Sequence, residues 1–461
     1  MMFVRRHFDS ATLRSLLAMC LPMIVSQGTF ALMIFTHRYF LAHLSPTHMA
    51  AAMGGGVAWF FSYSLFNGVL AYANALVAQY LGAAQRGKCS KVLTQGLLLC
   101  CACIPFLVLI AYFMRQLFEA MGHAPEQVAL EQQYYDVLML ASFLALVKVC
   151  FASFFTGTGA TRVVMICELC GIVVNIPLSY VLIFGMGGVP PLGIAGAAWS
   201  TVFSSVFTLI AFACFYFQPL NRRRYGVAES WHFDAGIIRR YLRLGFPSGL
   251  EMFLNVAAFN LFLLMFHSYG VVEAAAATIV FNWDILSFVP LLGLNIAVVS
   301  LTGRAVGAGD IQRTDAIVSA GYLLGLGYSL LLASLFLIFR RPLVEMFIFG
   351  EGVEADGIRT LARFMMVGLS AYALLEGVLQ VATGVLRGAG DTRWVMMTSV
   401  SLHWGMLVLQ FFIIKVFDYG PRLSWLTFVL MILVIVACFI HRLHSSHWRD
   451  PQRLRAVMRE R

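Results

Sequence analysis

Charged side chains are scarce in this sequence: they make up 12% of its 461 residues, whereas 60% of the residues are hydrophobic. Soluble domains carry about 25% charged residues, so this chain lacks the charge that would cover a surface facing water. The mean hydropathy is +0.82, and apolar runs of about 20 residues, long enough to cross a hydrocarbon layer, recur along the chain. The scarcity of charge excludes a soluble globular protein and predicts an all-α integral membrane protein.

The sequence also lacks the patterns of nucleic-acid-binding, metal-binding and disulfide-rich proteins. Its net charge of +10 comes from basic residues in short loops between apolar runs, which is typical of membrane topology signals. We therefore expect membrane lipid, and no nucleic acid, as a partner. Two CxxC pairs, Cys100 with Cys103 and Cys167 with Cys170, lie inside apolar runs. We interpret the cysteines as small buried apolar side chains rather than disulfides or metal ligands.

Polar breaks divide the apolar sequence into twelve predicted transmembrane helices. They are predicted at residues 12–36, 50–77, 92–115, 133–157, 163–185, 193–217, 240–267, 274–302, 314–339, 357–385, 394–417 and 422–443. The only long polar stretch between them lies at residues 218–239. The predicted organisation is an N-terminal six-helix lobe (1–217), a cytoplasmic linker (218–239), a C-terminal six-helix lobe (240–443) and a basic cytoplasmic tail (444–461).

The distribution of basic residues predicts the orientation of the chain. Placing both termini on one face of the membrane gives that face 23 of the 32 Lys and Arg residues and gives the opposite face 8. Lys148 lies within a predicted helix and completes the count. Because Lys and Arg concentrate in cytoplasmic loops, we expect a multi-pass protein of the cell (inner) membrane with both termini in the cytoplasm.

The two halves of the sequence repeat each other. The spacing between Pro22 and Pro247 is the same as the spacing between Gly82 and Gly307. Later in the halves, "GTGATRVVM" matches "GAGDTRWVM" at a slightly larger spacing. Because each half contains an even number of predicted helices, both halves enter the membrane in the same sense. We therefore predict two parallel six-helix repeats with a central cavity between them as the substrate position.

The repeated segments carry a resemblance to a known family. Over nearly its whole length the chain resembles a multidrug and toxic compound extrusion (MATE) transporter, and its C-terminal half is closest to the NorM-like pattern. The matching segments include "QYLGAAQRGK", "GTGATR", "NIPLSYVLIFG", "GIAGAAWST", "LGFPSGLE" and "LRGAGDTR". The resemblance implies two lobes, alternating access, and secondary active efflux of small amphipathic or organic compounds. It implies H⁺ or Na⁺ as the coupling ion and no other cofactor.

Acids inside the predicted helices of the C-terminal half are candidate coupling groups, because an ionised side chain in the membrane is costly and normally faces a cavity. Glu376 occupies the position at which the NorM-like branch has an acidic cation ligand, and Tyr372, one turn earlier, also fits that branch. Asp284, within "FNWDILSFVP", is a second buried acid. The alternative for each acid is a structural role, neutralised by a polar group on a neighbouring helix.

Glu251 and Asn255 share one face of the seventh predicted helix, because they are one turn apart. The family's usual acid in this helix falls at Asn255, so the resemblance implies that Glu251 supplies the missing charge while Asn255 keeps an oxygen ligand. The alternative is that Glu251 is solvated or caps polar groups near the cytoplasmic end. Together with Asp284 and Glu376, Glu251 could form an oxygen cage for Na⁺ or hold a shared proton. The neutral Asn255 favours the proton.

The first half departs from the family pattern at its acidic positions. Many members have Asp in the first helix, where this chain has His37. A titratable replacement is one interpretation, but the neighbouring Arg38 favours an interfacial role near the outer mouth. The fifth helix keeps Asn175, whereas the position one turn later, acidic in one branch, is Ser179. His37 and Asn175 are thus cavity candidates, and a first-lobe proton site of that branch is not favoured.

Lys148 lies in the middle of the fourth predicted helix, too far from its end to reach the membrane surface. It is predicted either to pair with Glu168 of the fifth helix or to point into the cavity. A cationic group in the cavity would disfavour cationic substrates and favour anionic or neutral ones. Lys148 and Glu168 are therefore both candidates for the substrate cavity.

Two other functions compete with efflux. A lipid-linked sugar flippase of the wider superfamily predicts several cationic groups in the cavity, and Lys148 is the only candidate. A membrane-embedded enzyme predicts a catalytic cluster at one membrane face, and His441, His444 and His447 form the only cluster of that kind in the sequence. We therefore predict a transporter rather than an enzyme, with no catalytic residue and no metal site, acting as a monomer on a small-molecule substrate.

Overall fold

The computed structural model describes residues 9–120, 122–348 and 351–460; residues 1–8 of the predicted first lobe and residue 461 of the predicted tail lie outside this part of the chain. Twelve helices are long and apolar enough to cross a membrane, as predicted, and the described residues form no β-strand. We number them α1 to α12: Ser10–Ala42, Thr47–Gly82, Arg86–Ala120, Pro125–Gly157, Thr161–Phe184, Ile194–Tyr216, Ala235–His267, Val271–Gly307, Ile311–Ile338, Val353–Gly388, Thr392–Val416 and Pro421–His444.

Several helices are longer than the apolar runs that predicted them. The longest are α8, with 37 residues, and α2 and α10, with 36 each. Polar residues continue these helices beyond the apolar segment, and capping groups fix where some of them begin. At the start of α1 the side chain of Asp9 accepts hydrogen bonds from the backbone N–H groups of Ala11 and Thr12, two of the donors that a helix start leaves unpaired. Hydropathy alone therefore marks only the middle of each helix.

The predicted linker at 218–239 contains structure of its own. It forms a short helix at Pro219–Tyr225 and a single 3₁₀ turn at Val227–Glu229. α7 begins at Ala235 rather than at residue 240, because the Asp234 side chain accepts a hydrogen bond from the Ile237 N–H. The linker packs against the first lobe, where the Gln95 side chain donates to the His232 carbonyl at 2.8 Å.

The ten cysteines are all free thiols. Five of them are buried among neighbouring helices, namely Cys20, Cys89, Cys100, Cys150 and Cys167. The expectation that all ten are buried is wrong, because Cys101, Cys170 and Cys214 are exposed on the outside of membrane-spanning helices. In a membrane protein that surface faces lipid, where a small apolar thiol carries little cost.

Helices α1 to α6 and α7 to α12 form two lobes that correspond to the two repeats. In the first lobe α2 packs on α4 and α5 packs on α6; in the second, α10 packs on α8, α9 and α12, while α7 packs on α11. The equivalent segments "GTGATR" and "GAGDTR" end α4 and α10 in the same way, since Gly159 and Gly390 adopt left-handed φ angles of +83° and +84°. The sequence repeat is thus also a repeat of backbone conformation.

The lobes meet along α1 with α8 and along α2 with α7 and α8. Asp9, Glu460 and the loops that follow α2, α4, α6, α8 and α10 lie on one face, which we call the terminal face. Near this face the ends of α2 and α8 touch backbone to backbone. A Cβ at Gly82 would lie 2.0 Å from the Arg304 carbonyl oxygen, and a Cβ at Gly307 would lie 2.0 Å from the Gln79 carbonyl oxygen. The glycines repeat at equivalent positions because each lets the other lobe approach.

Adding a methyl group at Gly307 is expected to destabilise this closed interface. Because the new Cβ would overlap the Gln79 carbonyl, Gly307→Ala should lower the free energy of unfolding by about 1–3 kcal/mol, the usual cost of overpacking. Thermal unfolding of the purified protein measures the change. Gly327→Ala is the matched control, since a Cβ at Gly327 meets nothing within 4 Å. Equal midpoints for the two variants would contradict a backbone contact at Gly307.

Candidate functional site

Two carboxyl groups come together in the interior of the second lobe. Asp284 lies in the N-terminal half of α8, which starts at Val271, and Glu376 lies in the C-terminal half of α10, which ends at Gly388. At about 1.5 Å per residue, each is roughly 20 Å from the nearer end of its helix. Because α8 and α10 pack along each other, the two acids are close enough to repel electrostatically. The structure therefore places both of these predicted residues in one group.

Tyr372 completes this group, which we call the α8–α10 carboxyl pair. Its hydroxyl interacts electrostatically with both Asp284 and Glu376. It lies beside Asp284 without reaching hydrogen-bond geometry, so the Tyr372 hydroxyl and the Asp284 Oδ1 are both buried without a hydrogen-bond partner in the described part of the chain. Tyr328 of α9 approaches Glu376 as well, but its hydroxyl donates to the Ser287 carbonyl at 2.9 Å.

Close packing around Glu376 fixes its helix. Gly377 faces Gly325 of α9 so closely that a Cβ at Gly377 would lie 2.4 Å from the Gly325 carbonyl oxygen. The Gly377 N–H also donates to the Ser329 hydroxyl at 3.1 Å. The carboxyl group of Glu376 is thus carried on a rigidly packed turn. No basic side chain of the described residues pairs with Glu376 or Asp284.

Glu251 does not join the carboxyl pair, so the predicted three-carboxylate cage is wrong. Its Oε1 forms an ion pair with Arg387 Nη2 at 3.0 Å, and the Glu251 residue is 3% exposed. Arg387 lies about three helical turns after Glu376 on α10, closer to the terminal face and on the same side of the helix. The guanidinium group therefore reaches Glu251 from α10. The alternative that Glu251 is solvated is also wrong, because the residue is buried.

Asn255 bonds to α11 rather than to the acids. Its Nδ2 donates to the Ser399 hydroxyl at 2.8 Å, and its Oδ1 is buried without a hydrogen-bond partner among the described residues. His403, one turn after Ser399, interacts electrostatically with Glu251 and places its Nδ1 2.7 Å from the Ser399 carbonyl oxygen. Sequence reasoning missed His403, although a histidine within an apolar run was a signal for it.

A buried hydrogen-bond network occupies the first lobe. The Nε2 atom of His37 lies 3.0 Å from Asn175 Oδ1 and 2.9 Å from the Ser179 hydroxyl. Ser200 of α6 lies 2.7 Å from Ser179, and Asn175 Nδ2 donates to Ser204 at 3.1 Å. The network joins α1, α5 and α6 through neutral partners. Sequence reasoning missed Ser200 and Ser204, whose spacing of one turn places both on one face of α6.

The prediction of an interfacial role for His37 is therefore wrong. His37 is 3% exposed, because its side chain points into the first lobe and bonds to α5. Arg38, the next residue, points in a different direction, since consecutive residues on a helix are about 100° apart. The neighbouring charge that suggested an interfacial position thus says nothing about where the imidazole lies.

Lys148 and Glu168 form the predicted ion pair. The Lys148 Nζ lies 3.1 Å from Glu168 Oε2, and the side chains are 24% and 17% exposed. The pair joins α4 to α5 and compensates both charges within the membrane-spanning part of the first lobe. Lys148 therefore does not present an uncompensated positive charge to a substrate.

A further buried acid was missed by sequence reasoning. Glu131, near the start of α4, is 1% exposed. Its carboxylate contacts His123 Nδ1 at 3.1 Å and accepts a hydrogen bond from Gln127 Nε2 at 2.9 Å. Gly54 of α2 packs directly against it, with its Cβ position 2.7 Å from Glu131 Oε1. The group lies at the face opposite the termini and connects the α3–α4 loop to two helices.

Comparisons with known proteins match both lobes. The MatE family model matches residues 22–181 and 247–411. The multidrug resistance protein MdtK of Yersinia pseudotuberculosis is 23% identical over 453 residues, covering 95% of this chain and 96% of that protein. The MdtK protein of Proteus mirabilis is 27% identical over 431 residues, covering 90% of this chain and 92% of that protein. An outward-facing structure of a multidrug resistance MATE family transporter of the MOP superfamily superposes on this chain with a TM-score of 0.85. The sequence identity is 20%, and the superposition covers 97% of this chain and 96% of that one.

Proposed function

This chain belongs to the MatE family and is a secondary transporter of the inner membrane, and from that premise we propose that it exports small amphipathic organic compounds in exchange for protons. The observation that carries the proposal is the α8–α10 carboxyl pair. Asp284 and Glu376 lie on the packed helices α8 and α10 within the membrane-spanning part of the second lobe, and two neighbouring carboxylates repel each other when both are ionised. A cation that binds between them removes this repulsion, so the pair is suited to take up and release a coupling ion.

The position of the pair supports a link between ion binding and lobe movement. α8 carries Asp284 in the second lobe and also forms the interface with the first lobe, where Ser300 donates to the Thr156 carbonyl at 2.9 Å. α10 carries Glu376 and ends at Gly388, whose carbonyl accepts a hydrogen bond from Gln79 Nε2 of the first lobe at 2.8 Å. A change in the spacing of α8 and α10 therefore acts directly on the contacts that close the terminal face.

The contacts between the lobes indicate on which side of the membrane the described conformation is closed. The ends of α2 and α8 meet at the terminal face, where Gly82 packs against the Arg304 carbonyl and Gly307 packs against the Gln79 carbonyl. The excess of Lys and Arg on that face supports a cytoplasmic location of both termini. With this orientation the described conformation is closed toward the cytoplasm.

The arrangement of neutral oxygen ligands favours a proton over Na⁺. The amide of Asn255, expected as a ligand, bonds to Ser399 and belongs to a different group from the carboxyl pair. Tyr328 donates its proton to a backbone carbonyl, which leaves Tyr372 as the neutral group beside the acids. Na⁺ needs several oxygen ligands to replace its hydration shell, whereas a proton needs only the two carboxyl groups.

The competing functions lose support from the same contacts. A lipid-linked sugar flippase requires cationic groups in the cavity, and Lys148, the one candidate, is paired with Glu168. The proposal includes no catalytic residue and no cofactor besides the coupling ion. It places a monomer in the membrane, with lipid around the lobes and a small-molecule substrate between them.

Proteoliposomes with imposed gradients test the coupling ion. The purified protein is reconstituted with a fluorescent cationic dye, and dye transport is followed under a pH gradient alone or a Na⁺ gradient alone. We expect transport under the pH gradient and none above the protein-free background under the Na⁺ gradient. Transport driven by Na⁺ alone would overturn the proton assignment, and no transport of cationic, neutral or anionic dyes under either gradient would overturn the proposed efflux.

A further inference from the structure

The segment after α12 crosses the terminal face and contacts both lobes. It comprises residues 445–460, which we call the C-terminal segment, and includes a short helix at Pro451–Met458. Trp448 is buried, and its indole N–H donates to the Leu443 carbonyl at 2.8 Å. The sequence predicted a basic cytoplasmic tail at this position. The structure shows that the tail is packed against the protein over its described length.

The second lobe holds the C-terminal segment by several ion pairs. Asp391, at the start of α11, is 2% exposed and pairs with both Arg442 and Arg453. Arg449 pairs with Asp315 of α9 at 2.6 Å. Each of these contacts joins the segment, or the end of α12, to another part of the same lobe. They would all persist if the two lobes moved apart.

Among the described residues, the polar side-chain contacts between the first lobe and the segment are made at a single acidic residue. Glu460 Oε1 accepts hydrogen bonds from Lys88 Nζ at 2.7 Å and from the Tyr80 hydroxyl at 2.9 Å. Tyr80 lies near the end of α2 and Lys88 near the start of α3, so both belong to the first lobe. This contact is the point at which the segment spans the boundary between the lobes.

A buried arginine completes the connection. Arg240 of α7 is 1% exposed; its Nε donates to the Val457 carbonyl of the C-terminal segment at 2.9 Å, and its Nη2 donates to Gln79 of α2. Its guanidinium group also lies over the Tyr80 ring, 4.6 Å from the ring centre. Arg240, which belongs to the second lobe, thus contacts the first lobe and the C-terminal segment at one place. Withdrawal of the segment would leave a buried cation with fewer partners, which is costly.

We propose that the C-terminal segment is a latch that stabilises the conformation closed at the terminal face, with Glu460 and Arg240 as its positioning residues. Opening of the terminal face separates Tyr80 and Lys88 from the second lobe. Because the second lobe holds the segment at Asp391 and Asp315 as well, the Glu460 contact is the one that breaks. The strength of that contact therefore contributes to the ratio of the two access states, beside the direct contacts between the lobes. The proposal rests on the alternating access described under the proposed function.

Hydrogen–deuterium exchange of the full-length protein in lipid nanodiscs tests the latch without any substrate or ion gradient. The reporters are the backbone amides at 73–82 in α2 and 298–307 in α8, where the lobes meet. Glu460→Gln and Lys88→Gln each remove the ion pair and keep side chains of similar size. We expect exchange at both reporters to become roughly two- to fivefold faster, the range for a partly exposed ion pair, with unchanged exchange inside α5.

A charge exchange and a control on the same segment make the test specific. Lys88→Glu combined with Glu460→Lys restores an ion pair of reversed polarity and should return exchange toward the unaltered rate. Arg455→Gln alters an exposed side chain of the same short helix and should change nothing. If the single variants exchange at the reporters no faster than Arg455→Gln, the latch is overturned. Faster exchange inside α5 as well as at the reporters would also overturn it. Because the measurement needs no transport, it stands even if the coupling ion or substrate differs from our proposal.

Discussion

Replacing Glu376 with glutamine is expected to abolish efflux. The substitution keeps the volume and the hydrogen-bonding shape of the side chain but removes the group that takes up a coupling ion. Without the second carboxylate, Asp284 has no partner with which to share a cation, so ion binding no longer changes the interaction between α8 and α10. Drug resistance of cells that express the variant should fall to the level of cells with an empty vector.

The same helix offers a matched control for this prediction. Glu354 is an exposed acid in the first turn of α10, far from the carboxyl pair, so Glu354→Gln should leave resistance unchanged. Asp284→Asn, by contrast, should reproduce the loss, since it removes the other half of the pair. Expression in the membrane is measured for each variant by immunoblot. Full resistance with Glu376→Gln at normal expression would remove this residue from the mechanism.

Replacing Glu251 with glutamine is expected to destabilise the fold rather than to remove a coupling group. The substitution leaves Arg387 without its ion-pair partner, and the Arg387 Nε is already buried without a hydrogen-bond partner in the described chain. Breaking a buried ion pair by removing one member costs about 3–5 kcal/mol. We expect a value near the lower end, because the Arg387 side chain is 31% exposed. The midpoint of thermal unfolding of the purified protein measures the loss.

Removing both members of this pair separates stability from coupling. Glu251→Gln combined with Arg387→Met removes the unpaired cation, so most of the lost stability should return. The double variant should also retain transport driven by a pH gradient. Glu229→Gln, which alters an exposed acid of the linker, is the control and should leave the midpoint unchanged. A stable double variant without transport would show that Glu251 or Arg387 is needed for coupling and not only for stability.

The number and order of the helices followed from features that are local in the sequence. An apolar run of about 20 residues can satisfy its backbone groups within the membrane only as a helix, so the number of helices could be counted. The repeated glycines were also visible in the sequence, because Gly82 and Gly307 occur at equivalent places in the two halves. Their physical role, a contact of each glycine with the other lobe, required the structure.

The partners of the charged and polar side chains were decided by tertiary structure. Glu251 and Arg387 are 136 residues apart, and His37 and Ser179 are 142 residues apart. Such pairings depend on how far each helix is shifted along its axis and rotated about it, and residue spacing within one helix contains neither quantity. The sequence by itself therefore determined the number of spans, the repeat and the candidate acids of the second lobe. Helix packing alone decided which of those acids meet each other and which meet an arginine.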